Sequence, residues 1–149
     1  MTDYELLNAQ LAEMVRDVPH RTANLANASA LLYDALQDLN WAGFYLMENG
    51  KLVLGPFQGK VACVEIEVGK GVCGTAVERD ATILVENVHQ FPGHIACDCA
   101  SNSEIVVPIR KNGRVIGVLD IDSPKFARFE AADQTGLEEF VRILENAVF

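Results

Sequence analysis

Two Asn-Gly pairs, Asn49-Gly50 and Asn112-Gly113, each separate two apolar segments of this chain. Asparagine and glycine tolerate the positive φ that a two-residue hairpin turn requires, so each pair predicts an antiparallel β-hairpin. The first joins residues 41–47 to 52–54, and the second joins residues 104–109 to 115–121. A hairpin cannot bury an apolar face by itself, so other elements must cover these two. Helical periodicity supplies them. Tyr4, Leu7, Leu11 and Met14 share one stripe over residues 3–17, which Pro19 ends. Leu25, Ala28, Leu32, Leu36 and Leu39 predict a second helix over residues 22–38, and Leu137, Phe140, Val141, Leu144 and Val148 make one face of a last helix.

Between the hairpins, residues 61–68 read as extended. The glycine-rich run Gly69-Lys70-Gly71-Val72-Cys73-Gly74-Thr75-Ala76 opens a short helix, and residues 82–86 form a short strand. Residues 87–103 are irregular; a loop that long inside a domain this small is expected to be functional. Helices at both ends bracketing antiparallel strands predict an α+β fold, with helices packed on a central sheet. At 149 residues, half of them hydrophobic, the chain suits one domain with one core over residues 1–149.

Charge narrows the function. A net charge of −9 with no basic stripe argues against nucleic acid, whose binding needs clustered Lys and Arg, and against an acidic membrane surface. The start of the chain has neither a positive n-region nor an apolar h-region, and no apolar run is long enough to span a bilayer, so a cytoplasmic location is expected. Thiols are kept reduced there, and cysteines are more often catalytic, metal-binding or inert than structural.

The four cysteines are Cys63, Cys73, Cys97 and Cys99. Zinc sites favour two close pairs; here the intervals are irregular, and completing a ligand set would need His89 and His94, so no metal is expected. Cys63, inside Val-Ala-Cys-Val, reads alone as a buried small hydrophobe. Cys73 lies where a glycine-rich turn enters a helix, a place where N–H dipoles lower a thiol pKa. Cys97 lies in the long loop. Two thiols on such segments suggest redox exchange.

Asp120 and Asp122 close the apolar strand Val115-Ile116-Gly117-Val118-Leu119-Asp120-Ile121-Asp122. Alternation puts both on the face of Ile116 and Val118, where a carboxyl at the end of a buried stripe has a raised pKa and can serve as a general acid. Whether Glu104 joins them depends on the second turn. A two-residue loop would pair Glu104 with Ile121 and point it away, whereas a three-residue loop would pair it with Asp120 on the same face; the hairpin sequence allows either. His20 is expected on the surface, and His89 and His94 are expected to be structural or to tune a thiolate.

The runs Gly59-Lys60-Val61-Ala62-Cys63, Gly69 to Ala76, Phe91-Pro92-Gly93-His94-Ile95-Ala96-Cys97-Asp98, Ser101-Asn102-Ser103-Glu104-Ile105-Val106-Val107-Pro108-Ile109 and Gly117-Val118-Leu119-Asp120-Ile121-Asp122-Ser123-Pro124 closely resemble the free methionine-(R)-sulfoxide reductases. The resemblance covers nearly the whole chain. It implies a GAF-like fold and thiol-dependent reduction of free methionine (R)-sulfoxide. It implies Cys97 as nucleophile and Cys73 and Cys63 as recycling thiols. Glu104, Asp120 and Asp122 would be the acids that hold the substrate and polarise its oxygen, with Trp41 and Tyr45 as the aromatic wall near the substrate methyl. It further implies no bound cofactor, thioredoxin or another external dithiol as reductant, and a homodimer. Cys99 stands where the family usually has serine. Rival readings are a GAF module that senses a small ligand without turnover, and a redox sensor.

Overall fold

The computed structural model describes residues 1–95 and 99–149. Two helices, α1 (Tyr4–Val15) and α2 (Arg21–Ala35), precede the first hairpin, β1 (Trp41–Glu48) and β2 (Lys51–Gly59). A short strand β3 (Glu65–Glu67) leads into helix α3 (Gly71–Arg79) and strand β4 (Ile83–Val85). The second hairpin is β5 (Ser103–Lys111) and β6 (Arg114–Ser123), and α4 (Ala131–Ala147) closes the chain. The strands form one antiparallel sheet in the order β3-β2-β1-β6-β5-β4. The two hairpins therefore lie side by side, with β1 against β6 at the centre.

The sheet separates two apolar layers. On one side, Ala42, Phe44, Ile105, Val107, Ile109, Leu119 and Ile121 meet the apolar stripes of α1, α2 and α4 in the main core. On the other, Trp41, Tyr45, Val106 and Val118 meet α3 through Val72, Cys73 and Ala76. The period of two along each strand produces this division, and it sends alternate residues of β1, β5 and β6 toward α3.

Both Asn-Gly pairs make two-residue turns. Asn49 and Gly50 have φ of 51° and 81°, Asn112 and Gly113 have 53° and 77°, and the flanking pairs are Glu48 with Lys51 and Lys111 with Arg114. The second hairpin nevertheless follows neither register expected from its sequence. Arg110 pairs with Val115, but Ile109 pairs with Gly117, so Ile116 is an extra, bulged residue. Ile116 packs against the helical core and not beside Val118, a correction to the simple alternation. Beyond the bulge every partner moves by one, and Glu104 pairs with Asp122. One unpaired residue thus turns Glu104 onto the face of Asp120.

The segment before β3 also departs from expectation: residues 61–63 lie outside any strand, and regular pairing begins only at Glu65. On β1, Gly43 lies between Trp41 and Tyr45 on the α3 side of the sheet. A Cβ at Gly43 would lie 2.2 Å from the Phe57 Cβ, 2.7 Å from its Cα and 2.9 Å from the Pro56 carbonyl. The bare backbone there lets Phe57 reach the Trp41 ring, with centroids 5.1 Å apart and planes 16° from parallel. Gly43→Ala is expected to cost about 1–3 kcal/mol of stability, the usual range for overpacking, seen as a lower urea midpoint at unchanged slope.

Candidate active site

Glu104, Asp120 and Asp122 stand on adjacent central strands, and all three are less than a tenth exposed. Cys73 reaches them from the first turn of α3. Its Sγ, one oxygen of Glu104 and one oxygen of Asp120 all lie within 4.8 Å of one another. Glu104 hydrogen-bonds to both Asp120 and Asp122, and Cys73 hydrogen-bonds to Asp120. A hydrogen bond between two carboxyl groups needs a proton, since an ionised pair has only acceptors to offer. Burial and then the neighbouring charge of Asp120 push Glu104 well above the usual carboxylate range, which makes it the member of the cluster poised to hold that proton. Burial raises Asp120 as well, while its hydrogen bonds with Glu104 and Cys73 pull it back.

The same surroundings reverse the expectation for Cys73. The thiol does lie at a helix N-terminus, but it is buried under the acid cluster. Burial first, then the charges of Asp120, Glu104 and Asp122, push its pKa well above the ordinary thiol value. Desolvation and the acid cluster together outweigh a helix dipole, whose effect is about 0.3–1 kcal/mol at an exposed site. Cys73 is therefore a protonated thiol at neutral pH and carries no free-standing nucleophile.

These groups form the floor of a small cavity of about 40 Å³. Trp41 and Tyr45 make one wall, with ring centroids 5.9 Å apart and planes 24° from parallel. Their polar tips do not face the cavity. Trp41 Nε1–H donates to the Lys60 carbonyl at 3.2 Å, and the Tyr45 hydroxyl donates to the Cys63 carbonyl at 2.9 Å. The aromatic wall thereby also fixes the backbone of residues 60–63. Burial, with the charge of Asp120 next in weight, raises the Tyr45 hydroxyl pKa, so it stays a donor.

The remaining walls come from Ala62, from α3 through Gly71 and Val72, and from the long loop through His94, Ile95 and Ser101. The irregular segment expected to be functional does line the site. His94 stays neutral near pH 7, because burial and then the nearby His89 lower its pKa. Its Nδ1 is buried without a hydrogen-bond partner. His89 engages Asn102 instead, Nε2 to Oδ1 at 2.7 Å.

Of the residues singled out in the sequence, Trp41, Tyr45, Cys73, Glu104, Asp120 and Asp122 line one cavity. Cys63 borders it through its neighbour Ala62. Cys63 is half-buried and disulfide-bonded, not the inert strand residue its local sequence suggests. Cys73 and Cys99 are free thiols, and Cys99 is exposed. Cys97 lies outside the described residues. Phe57, Lys70 and Ser101 escaped the sequence reading. Phe57 pairs with Gly43 between the two wall aromatics only because the register of β1 and β2 shifts between Gly43 and Tyr45, which the turn sequence does not predict. Nothing local marks Lys70 or Ser101.

The arrangement offers a zwitterion an anionic floor for an ammonium group, a buried proton for an oxygen, and an aromatic wall for a small apolar group. Comparison with known proteins agrees with the fold. Residues 22–148 match the GAF domain family model. The chain is 55% identical to the free methionine-R-sulfoxide reductase of Escherichia coli, over 97% of this chain and 88% of that one. It superimposes on fRMsr of Staphylococcus aureus in complex with substrate with a TM-score of 0.95 and 54% identity, covering 100% of this chain and 97% of that one. It superimposes on free methionine-R-sulfoxide reductase from Neisseria meningitidis, also in complex with its substrate, with a TM-score of 0.94 and 44% identity, covering 97% of this chain and 87% of that one.

Proposed function

This chain belongs to the free methionine-R-sulfoxide reductases, a family built on the GAF domain, and from that membership we propose that it reduces free L-methionine (R)-sulfoxide to L-methionine. The observation that carries the reading to particular atoms is the buried carboxyl cluster beside an aromatic wall, in which burial pushes Glu104 toward its protonated form. A sulfoxide sulfur is a poor electrophile until its oxygen is protonated or strongly hydrogen-bonded. A neutral carboxyl in a desolvated site supplies that proton at a pH where an exposed glutamate could not.

The chemistry runs in balanced steps. The Cys97 thiolate attacks the substrate sulfur while Glu104 protonates the oxygen, and the S–O bond breaks. The oxygen passes to Cys97 as a sulfenic acid and methionine leaves. A second thiol attacks the sulfenic sulfur, water departs, and a disulfide remains. An external dithiol, thioredoxin by class, then reduces that disulfide by exchange, so the net change is loss of one oxygen as water and oxidation of one dithiol. Cys63 is the better resolving thiol. It already stands in a disulfide, whereas Cys73 is a buried, protonated thiol whose hydrogen bond to Asp120 ties it to the acid cluster. Asp120 and Asp122 attract the substrate ammonium, and Trp41 stacked on Phe57 confines the methyl.

No helix among the described residues is long and apolar enough to cross a membrane. The test is a steady-state assay with a dithiol reductant on both epimers of free methionine sulfoxide and on the R epimer within a tripeptide. Turnover is expected with the free R epimer, at least about 100-fold above the free S epimer and the tripeptide in kcat/KM, a gap of about 2.7 kcal/mol. Binding without turnover of any of the three would assign the cavity to ligand sensing.

A further inference from the structure

The floor of the cavity has the makings of a metal site as well as of an acid. Cys73 Sγ, one Glu104 oxygen and one Asp120 oxygen lie within 4.8 Å of one another, and all three residues are buried. Separately, Asp120 Oδ1 is buried without a hydrogen-bond partner, although the residue is only 6% exposed and lines the cavity. An orphaned buried carboxylate oxygen is costly, and a ligand that coordinates it removes that cost.

We propose that Cys73, Glu104 and Asp120 form a binding site for a thiophilic divalent cation, with Zn²⁺ as the type, and that the fourth coordination position opens into the cavity. Zinc takes thiolate at about 2.3 Å and carboxylate at about 2.0–2.2 Å, which puts tetrahedral ligand atoms roughly 3.5 Å apart. The three atoms, now within 4.8 Å of one another, would have to close to that spacing on binding. One thiolate with two carboxylates selects Zn²⁺ over Mg²⁺ or Ca²⁺, which prefer larger sets of oxygen ligands. Binding expels the thiol proton and the carboxyl proton to solvent, and no electron moves. The dication neutralises charges that otherwise repel. This set differs from the set of four cysteines and two histidines weighed in the sequence.

The bound cation occupies the groups that hold the proton and the ammonium, so it excludes substrate. That consequence rests on the proposed function; the binding itself does not. The test titrates reduced, metal-free protein with Co²⁺ and then displaces it with Zn²⁺. One Co²⁺ per chain is expected, with tetrahedral absorption and a thiolate-to-cobalt charge-transfer band. Cys73→Ser should lose the band and weaken Zn²⁺ binding by at least about 100-fold. Asp120→Asn should keep the band and bind more weakly, and Cys99→Ser should bind as the unaltered protein does. Absence of the band, or its survival in Cys73→Ser, overturns the proposal. If Cys73→Ser does not fold, alkylation of Cys73 in the unaltered protein decides, read by peptide mass: Zn²⁺ should suppress it, and undiminished labelling overturns the site. In turnover assays Zn²⁺ should raise KM without changing kcat; a fall in kcat alone overturns its placement in the cavity. Lack of any turnover without metal counts against the proposed function and leaves the spectroscopic result to decide the site.

Discussion

Replacing Cys97 by serine is expected to abolish turnover of free methionine (R)-sulfoxide, by on the order of 10⁴-fold or more, the scale on which loss of a covalent nucleophile is felt. A serine hydroxyl at neutral pH is not ionised, and it cannot pass through the sulfenic and disulfide stages that return a thiol to its starting state. The three described cysteines separate by environment. Cys73 is buried and held protonated by the acids around it. Cys63 stands in a disulfide, and Cys99 is exposed and free. Cys63→Ser should therefore allow a first turnover and block the second, whereas Cys99→Ser should leave steady-state turnover unchanged. Single-turnover and multiple-turnover assays on the same preparations separate these outcomes, with circular dichroism to confirm the fold.

Glu104→Gln has the second largest effect. It keeps the shape and most of the hydrogen bonds but removes the transferable proton, so kcat should fall by about 10²–10⁴-fold, the usual worth of a general acid. Stability should change the opposite way at high pH. The Glu104 carboxyl is raised well above its ordinary value of 4.5, so between that value and its folded pKa the folded chain keeps a proton that the unfolded chain has released. Unfolding then releases a proton, and folding stability falls by on the order of 1.4 kcal/mol per pH unit for each such group. The contribution is fully present below the unfolded pKa and is lost as pH rises through the folded one. Glutamine removes this slope, so the variant should gain on the parent protein between pH 5 and 8 as read by urea midpoints. An unchanged difference across that range would mean that Glu104 is ionised in the folded chain.

Much of this was legible in the sequence, and the parts that were not have particular physical causes. The two Asn-Gly turns fixed two hairpins because few sequences tolerate consecutive positive φ, and both turns have that geometry. The amphipathic stripes placed α1, α2 and α4 on one face, because burying those stripes is what stabilises the helices. The position of Glu104 was not legible. It depends on the bulge at Ile116, and the segment Arg114-Val115-Ile116-Gly117 has no feature that marks an extra residue over a paired one. Ile116 packs against the helical core, a contact between elements that no local pattern announces. Cys73 shows the complementary failure. Its local sequence promised an activated thiol, and a long-range contact with carboxyls on β5 and β6 reversed the sign of its pKa shift. Trp41 and Tyr45 were implied by the family resemblance, and a spacing of four on a strand keeps their side chains on one face. Their hydrogen bonds to the backbone at Lys60 and Cys63 join segments that no local pattern connects.

The most direct test is one turnover followed atom by atom. Fully reduced protein is mixed with one equivalent of free L-methionine (R)-sulfoxide and no other reductant, then quenched with an alkylating agent and digested. The expected products are one methionine per chain and a single disulfide-linked peptide pair containing Cys97 and Cys63, with Cys73 and Cys99 recovered alkylated. Recovery of Cys97 in its alkylated form alongside a full equivalent of methionine would mean that another group carries the reaction.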